Sequence, residues 1–177
     1  MKIVKDIDGL THVIGATGSA KMMNGYELIR TDEDGNVYGA NKYVLNVCPP
    51  HDALAPNSSY RVIKALKKSV ELELVTDDAY RARYLGVMVT LSKAPNLESK
   101  DLFFVGTNDT VVCTIIKTVP GMYNVRYLCN SIAFENEVYR VYIPAGKRDP
   151  LHIHGAGTKT IIMPIITVIK GEKTDDK

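Results

Sequence analysis

Two histidines two residues apart, His152 and His154, are the strongest chemical signal in the chain. At i and i+2 on a strand they share one face. Two imidazoles side by side hold a single transition-metal ion if a third ligand converges on them. The remaining imidazoles are His12 and His51. No His-Glu-x-x-His and no Gly-x-Ser-x-Gly occurs, so no zinc-protease helix and no nucleophile elbow is visible. The competing reading is that His152 and His154 are partly exposed residues near a strand start, bonded to backbone or to a neighbour.

Around this pair, Gly146-Lys147-Arg148-Asp149-Pro150-Leu151-His152-Ile153-His154 has the pattern Gly-x5-His-x-His. It resembles the opening of the first cupin motif. The resemblance implies a small barrel holding a metal at His152 and His154, as an enzyme or ligand-binding domain. That motif continues with a Glu and later a Gly. Here Thr158 and Lys159 stand at the Glu positions, and Ile165 and Ile166 at the Gly.

Other sites fail on spacing. Gly15 to Lys21 lacks the phosphate-loop order and is not followed by a helix that would hold a phosphate. Asp32-Glu33-Asp34-Gly35-Asn36 puts Val37 and Tyr43 where a calcium loop needs Gly and Glu, so it reads as a hairpin turn. Arg61, Lys64, Lys67 and Lys68, with Tyr60, form a dense basic patch. It reads as a solvated face, or as the contact surface of a nucleic-acid-binding module.

Composition bounds the rest. The chain has 177 residues, 45% apolar and 24% charged, with net charge +2. Its length lets a single core bury roughly 70% of the unfolded surface without metal or disulfide. The charge is too mild to point to nucleic acid or an anionic membrane. Three cysteines, Cys48, Cys113 and Cys129, in no Cys-x-x-Cys pair, argue against a disulfide framework and thiolate zinc. No apolar run is long enough for a membrane helix, and the first residues lack the apolar core of a signal peptide. Synthesis in the cytosol is expected, with the cytoplasm or an assembled virus particle as the destination.

The elements that must position these residues read mostly as strands. Leu10 to Ile14 is a short apolar run in a β-rich, Gly-punctuated first third. Tyr26 to Thr31 and Val37 to Val47 flank the hairpin turn. Tyr60 to Lys68 places Val62, Ile63 and Leu66 on one helical face, although a strand also fits. Val70 to Leu74 alternates as a half-buried strand. Thr76 to Gly86 reads as a helix capped by Thr76 and ended by Gly86, with Val87 to Leu91 a strand. Strands follow at Leu102 to Val105, Val111 to Val119, Met122 to Cys129, Ile132 to Phe134 and Val138 to Ile143, with Pro120-Gly121 as a hairpin turn. In that register Cys113 and Cys129 point to opposite faces and form no disulfide. Thr160 to Ile169 is apolar on both faces and must be covered on both.

The expected fold is therefore a single mainly β domain over 1–177, with a short polar tail at 171–177. It is an antiparallel β-sandwich or barrel-like domain with one or two short helices inserted mid-chain. No internal repeat is visible. The first functional expectation is a structural or assembly protein acting through protein–protein contacts, as a homo-oligomer or a subunit of a larger complex. Its contact surface would be Ile161, Ile162, Met163, Ile165 and Ile166. A virion component (capsid decoration, neck or tail) fits that class. The cupin-like reading and the nucleic-acid module are the alternatives. No cofactor is expected unless His152 and His154 hold an ion.

Overall fold

The structure, a computed structural model, describes residues 2–5, 8–17, 27–104, 108–132 and 137–166. In chain order these form β1 (Lys2–Lys5), α1 (Asp8–Ala16), β2 (Leu28–Thr31), β3 (Val37–Ala40), β4 (Val44–Cys48), β5 (Ser59–Leu66) and β6 (Ser69–Val75). Then come α2 (Arg81–Leu91), β7 (Ser99–Phe103), α3 (Asn108–Thr118), α4 (Val125–Ser131), β8 (Val138–Tyr142), β9 (Leu151–His154) and β10 (Lys159–Ile162). All ten strands join one sheet in the order β1-β6-β5-β2-β3-β4-β10-β9-β8-β7, and each neighbouring pair is antiparallel.

The sheet does not close on itself. Among the described residues β1 and β7 are its two edges, so the expected mainly β, antiparallel domain takes the form of one open sheet. Cover comes from helices instead. Leu10 and Val13 of α1 pack with Ile29, Val37, Cys48 and Leu72. Val112, Ile115 and Leu128 of α3 and α4 pack with Tyr139, Leu151, Ile153 and Ile162 on the same face. The opposite face receives α2, whose Met88 meets Tyr38, Leu45 and Ile161.

A repeat appears in the topology though not in the sequence. A strand, helical segment and three strands occur twice, as β1-α1-β2-β3-β4 and β7-α3-α4-β8-β9-β10. The two halves meet at the antiparallel β4–β10 pair. The β5–β6 hairpin is inserted between β2 and β1.

Several expectations are corrected. Leu10 to Ile14 lies in a helix, because Leu10, Val13 and Ala16 recur at helical spacing and are buried. Val111 to Val119 and Met122 to Cys129 are largely helical. Val111, Val112 and Ile115 form one buried stripe, despite side chains that favour strands. Threonine hydroxyls are satisfied inside α3, with Thr114 donating to Thr110 and Thr118 to Thr114. Asn124 caps α4, accepting from the Arg126 N–H at 2.9 Å. Pro120-Gly121 thus joins two helices rather than two strands.

Tyr60 to Lys68 forms strand β5 and its turn, because Tyr60 and Val62 pack inward against the core. The mid-chain helix begins at Arg81 and runs through Gly86 and Val87 to Leu91. Thr76 does not cap it. Val37 to Val47 splits into β3 and β4 at Asn41, whose side chain accepts from the Tyr43 and Val44 N–H groups. β10 ends at Ile162, before Pro164. The Ile132 to Phe134 strand falls partly outside the described residues, as do Val168, Ile169 and the 171–177 tail.

The hairpin at Glu33 to Asn36 and the alternating strand at Val70 to Leu74 are found as expected. Gly35 takes φ +85°, and Asp32 accepts the Asn36 N–H at 2.8 Å.

Candidate functional site

His152 lies opposite Tyr142 on β8 and Ile161 on β10, and His154 opposite Arg140 and Lys159. Because Leu151 and Ile153 fill the helical face, the two histidines look to the other side. Their ring centres are 5.8 Å apart, and Tyr142 packs edge-on at 6.4 Å from His152 and 5.0 Å from His154. Nδ1 of His152 and Nε2 of His154 are buried with no hydrogen-bond partner. Burial holds both imidazoles below their ordinary value, that of His154 at about 4, with Lys159 and His152 adding to the effect.

This sets an expected pH response. Unfolded histidines take up protons near pH 6.5, the folded ones later. Stability from keeping them neutral is complete above pH 6.5 and is lost as pH falls toward about 4. Thermal melts between those limits should show a falling midpoint, and His154→Gln should flatten the slope. An unchanged slope in that variant would show that other groups carry it.

The other histidines are elsewhere. His12 of α1 is buried under the helical layer, Nδ1 facing the Asn130 carbonyl at 3.2 Å and Nε2 the Thr160 hydroxyl at 3.0 Å. His51 accepts the Ala53 N–H at 3.1 Å. Among the described residues no group of three or more His, Cys, Asp or Glu is placed to hold a metal. Burial pushes the Cys48 thiol up to about 12, which removes it as a nucleophile. No disulfide joins Cys48, Cys113 or Cys129.

The final apolar run divides. Ile161 and Ile162 are consumed by the chain's own core, at 1% and 0% exposure, since helices cover both faces of β10. Met163, Ile165 and Ile166 are exposed. With Tyr43 and Tyr127 they wall a groove of about 650 Å³, also lined by Lys42 and Arg148. A separate, smaller cavity of about 120 Å³, which shares Lys42 and Met163 with the groove, lies beneath α2 between Val87, Met88, Leu45 and Ile161. Tyr43, Tyr127 and Arg148 were not visible as site residues in the sequence. The one pointer was Pro164, which ends β10 and turns the next residues outward.

The basic residues do not share a helical face. Arg61 points to the side of the sheet opposite α1, where it pairs with Glu73 at 3.0 Å. Lys64 lies opposite Glu71, and Lys67 and Lys68 form the β5–β6 turn. The outward surfaces of the helical layer carry Thr11, Lys117, Arg126 and Asn130. Among the described residues no helix is long and apolar enough to cross a membrane.

No family model matches this sequence, and no curated protein does. Solved structures do match it in shape. The pol III beta of Caulobacter crescentus superposes with TM-score 0.54 at 12% identity, over 93% of this chain and 65% of that one. The DNA polymerase III subunit beta of Borrelia burgdorferi gives 0.56 at 9%, over 94% and 63%. A Helicobacter pylori beta clamp bound to a DNA ligase peptide gives 0.52 at 9%, over 91% and 63%.

The neighbours are sliding clamps. This chain spans just under two thirds of their length, and at these identities the likeness is one of fold. It corrects the expectation of a virion component, because the solved structures that share this fold are DNA polymerase III beta subunits. The cupin-like reading falls with it, since the sheet is open and the motif's Glu is absent. So does the nucleic-acid module built on Arg61, Lys64, Lys67 and Lys68, whose helix does not exist. The expectation against nucleic acid rested on net charge alone, and the structures that share this fold are subunits of a DNA polymerase.

Proposed function

We propose that this chain is a sliding-clamp-type subunit that joins copies of itself into a ring around duplex DNA and docks partner proteins on it. The observation that carries the reading is the shared fold over more than nine tenths of the chain. The sheet supports it. Nine antiparallel steps separate β1 from β7, so the two edge strands run in opposite directions. The β7 edge of one copy can therefore continue the β1 edge of the next as an antiparallel pair, with the helical layers on one side. Such a head-to-tail contact closes into a ring when its rotation allows.

Both edges expose large apolar side chains, Ile3 at 68% and Phe103 at 57%. The helical face is assigned to the duplex. It presents Lys117 and Arg126, whereas Arg61 and Arg140 on the opposite face are already paired with Glu73 and Asp101. The groove at Tyr43, Met163, Ile165 and Ile166 fits an extended apolar segment of a partner, as one neighbour was solved with a ligase peptide.

Sedimentation velocity and native mass spectrometry test the ring. One discrete closed oligomer is expected, retained by nicked circular DNA and released when the circle is cut. Phe103→Asp should give folded monomers. Wild-type protein that stays monomeric at all concentrations, or an oligomer indifferent to substitution of both edges, would sink the reading.

A further inference from the structure

We infer that His152, His154 and the wall formed by Tyr142 are a seat for one borderline divalent transition-metal ion, such as zinc or nickel, on the sheet face opposite α1, α3 and α4. Neither ring closure nor partner docking requires it, so it stands apart from the clamp reading.

Three observations converge. First, two buried ring nitrogens, Nδ1 of His152 and Nε2 of His154, lack a hydrogen-bond partner. Buried polar atoms without partners are rare in folded proteins, and an ion is one of the things that explains them. Second, the spacing is right. Two imidazoles sharing an ion at about 2.0–2.1 Å have ring centres roughly 5–6 Å apart, and these stand at 5.8 Å. Third, both residues project from one four-residue strand held between β8 and β10, so the pair is fixed by the sheet. Imidazole nitrogen suits zinc and nickel, whereas calcium and magnesium take oxygen.

The surroundings set the strength. Tyr142 interacts with Arg140, and the Arg140 charge is answered by Asp101 at 2.8 Å and 3.1 Å. Lys159, opposite His154, is the charge that opposes an ion. Among the described residues no third protein ligand converges, so the seat is two imidazoles, and water would complete the ion's shell. No catalytic step is attached to the site.

The test is calorimetric titration of Ni(II) into the tag-free full chain in chelator-free buffer. One ion per chain is expected. His154→Gln should weaken binding at least tenfold, and His51→Gln should leave it unchanged. Lys159→Gln, at an exposed position where folding is not at risk, should tighten binding about three- to tenfold by removing a like charge. Absence of saturable one-to-one binding overturns the proposal. So does affinity unchanged by His154→Gln in a variant whose melting shows it folded, or by Lys159→Gln.

Discussion

Replacing Asp78 by Ala should destabilise the fold by about 3–5 kcal/mol, the range for breaking one partner out of a buried ion pair. Arg30 of β2 is 1% exposed, yet carries a full charge. Its Nε and Nη2 donate to the two Asp78 oxygens at 2.7 Å and 3.1 Å, a two-pronged contact. Ser59 of β5 donates to the same carboxylate at 2.7 Å, as does the Tyr80 N–H at 3.2 Å. The guanidinium also lies 5.4 Å from the Tyr84 ring centre. One carboxylate thus ties β2 and β5 to the start of α2. Burial alone would raise the Asp78 carboxyl, but the Arg30 and Ser59 hydrogen bonds outweigh it and hold the group below its ordinary range.

The alanine variant removes the two-pronged carboxylate contact from a buried cation. Asp78→Asn should cost less, because an amide oxygen still accepts from Ser59 or Arg30. Urea denaturation at neutral pH checks both, and α2 should become the first protease-sensitive segment. A loss below about 1 kcal/mol, the ceiling for exposed pairs, would mean that water reaches Arg30 and that the pair is not the clasp described.

How much of this was legible in the sequence depended on whether local chemistry decided the structure. The Asp32–Asn36 turn was, because Gly35 and the Asp32 side chain define it within five residues. Val70 to Leu74 was, because alternation is local. α3 was not, since its Val, Thr and Ile residues favour strands and only packing against Tyr139, Leu151 and Ile162 selects the helix. The ten-stranded open sheet was not, because it depends on pairs such as Val47 with Lys159, which no local signal announces. The same holds for the groove. Tyr43, Tyr127 and Arg148 come from three distant stretches. The His152–His154 pair was legible as a shared face, but its Tyr142 wall was not.

Gly39→Ala should be nearly as damaging as loss of Asp78, at about 2–3 kcal/mol, toward the upper end of overpacking penalties. Gly39 sits on β3, paired with Asn46 of β4, beneath α1. A β-carbon there would lie 2.5 Å from the Val13 carbonyl oxygen, 2.7 Å from its Cγ1 and 3.1 Å from the Thr17 Cγ2. The first is helix backbone, which cannot swing aside as a flexible side chain would. α1 must therefore lift. Lifting strains the contacts that seat it, namely the Asn46 amide to the His12 carbonyl at 2.7 Å and the His12 ring to Thr160 and Asn130.

Gly15→Ala on the same helix is the matched control. No atom lies within 4 Å of its added carbon, and alanine is the better helix former by about 1 kcal/mol. That variant should be neutral or slightly more stable. Urea denaturation of the two proteins side by side decides the matter. If both lose stability equally, the effect comes from glycine's backbone freedom. If Gly39→Ala alone falls, the close approach of α1 to the sheet is what the fold depends on. Because α1 forms part of the face assigned to DNA, the same variant should then also lose retention on nicked circles at temperatures where it remains folded.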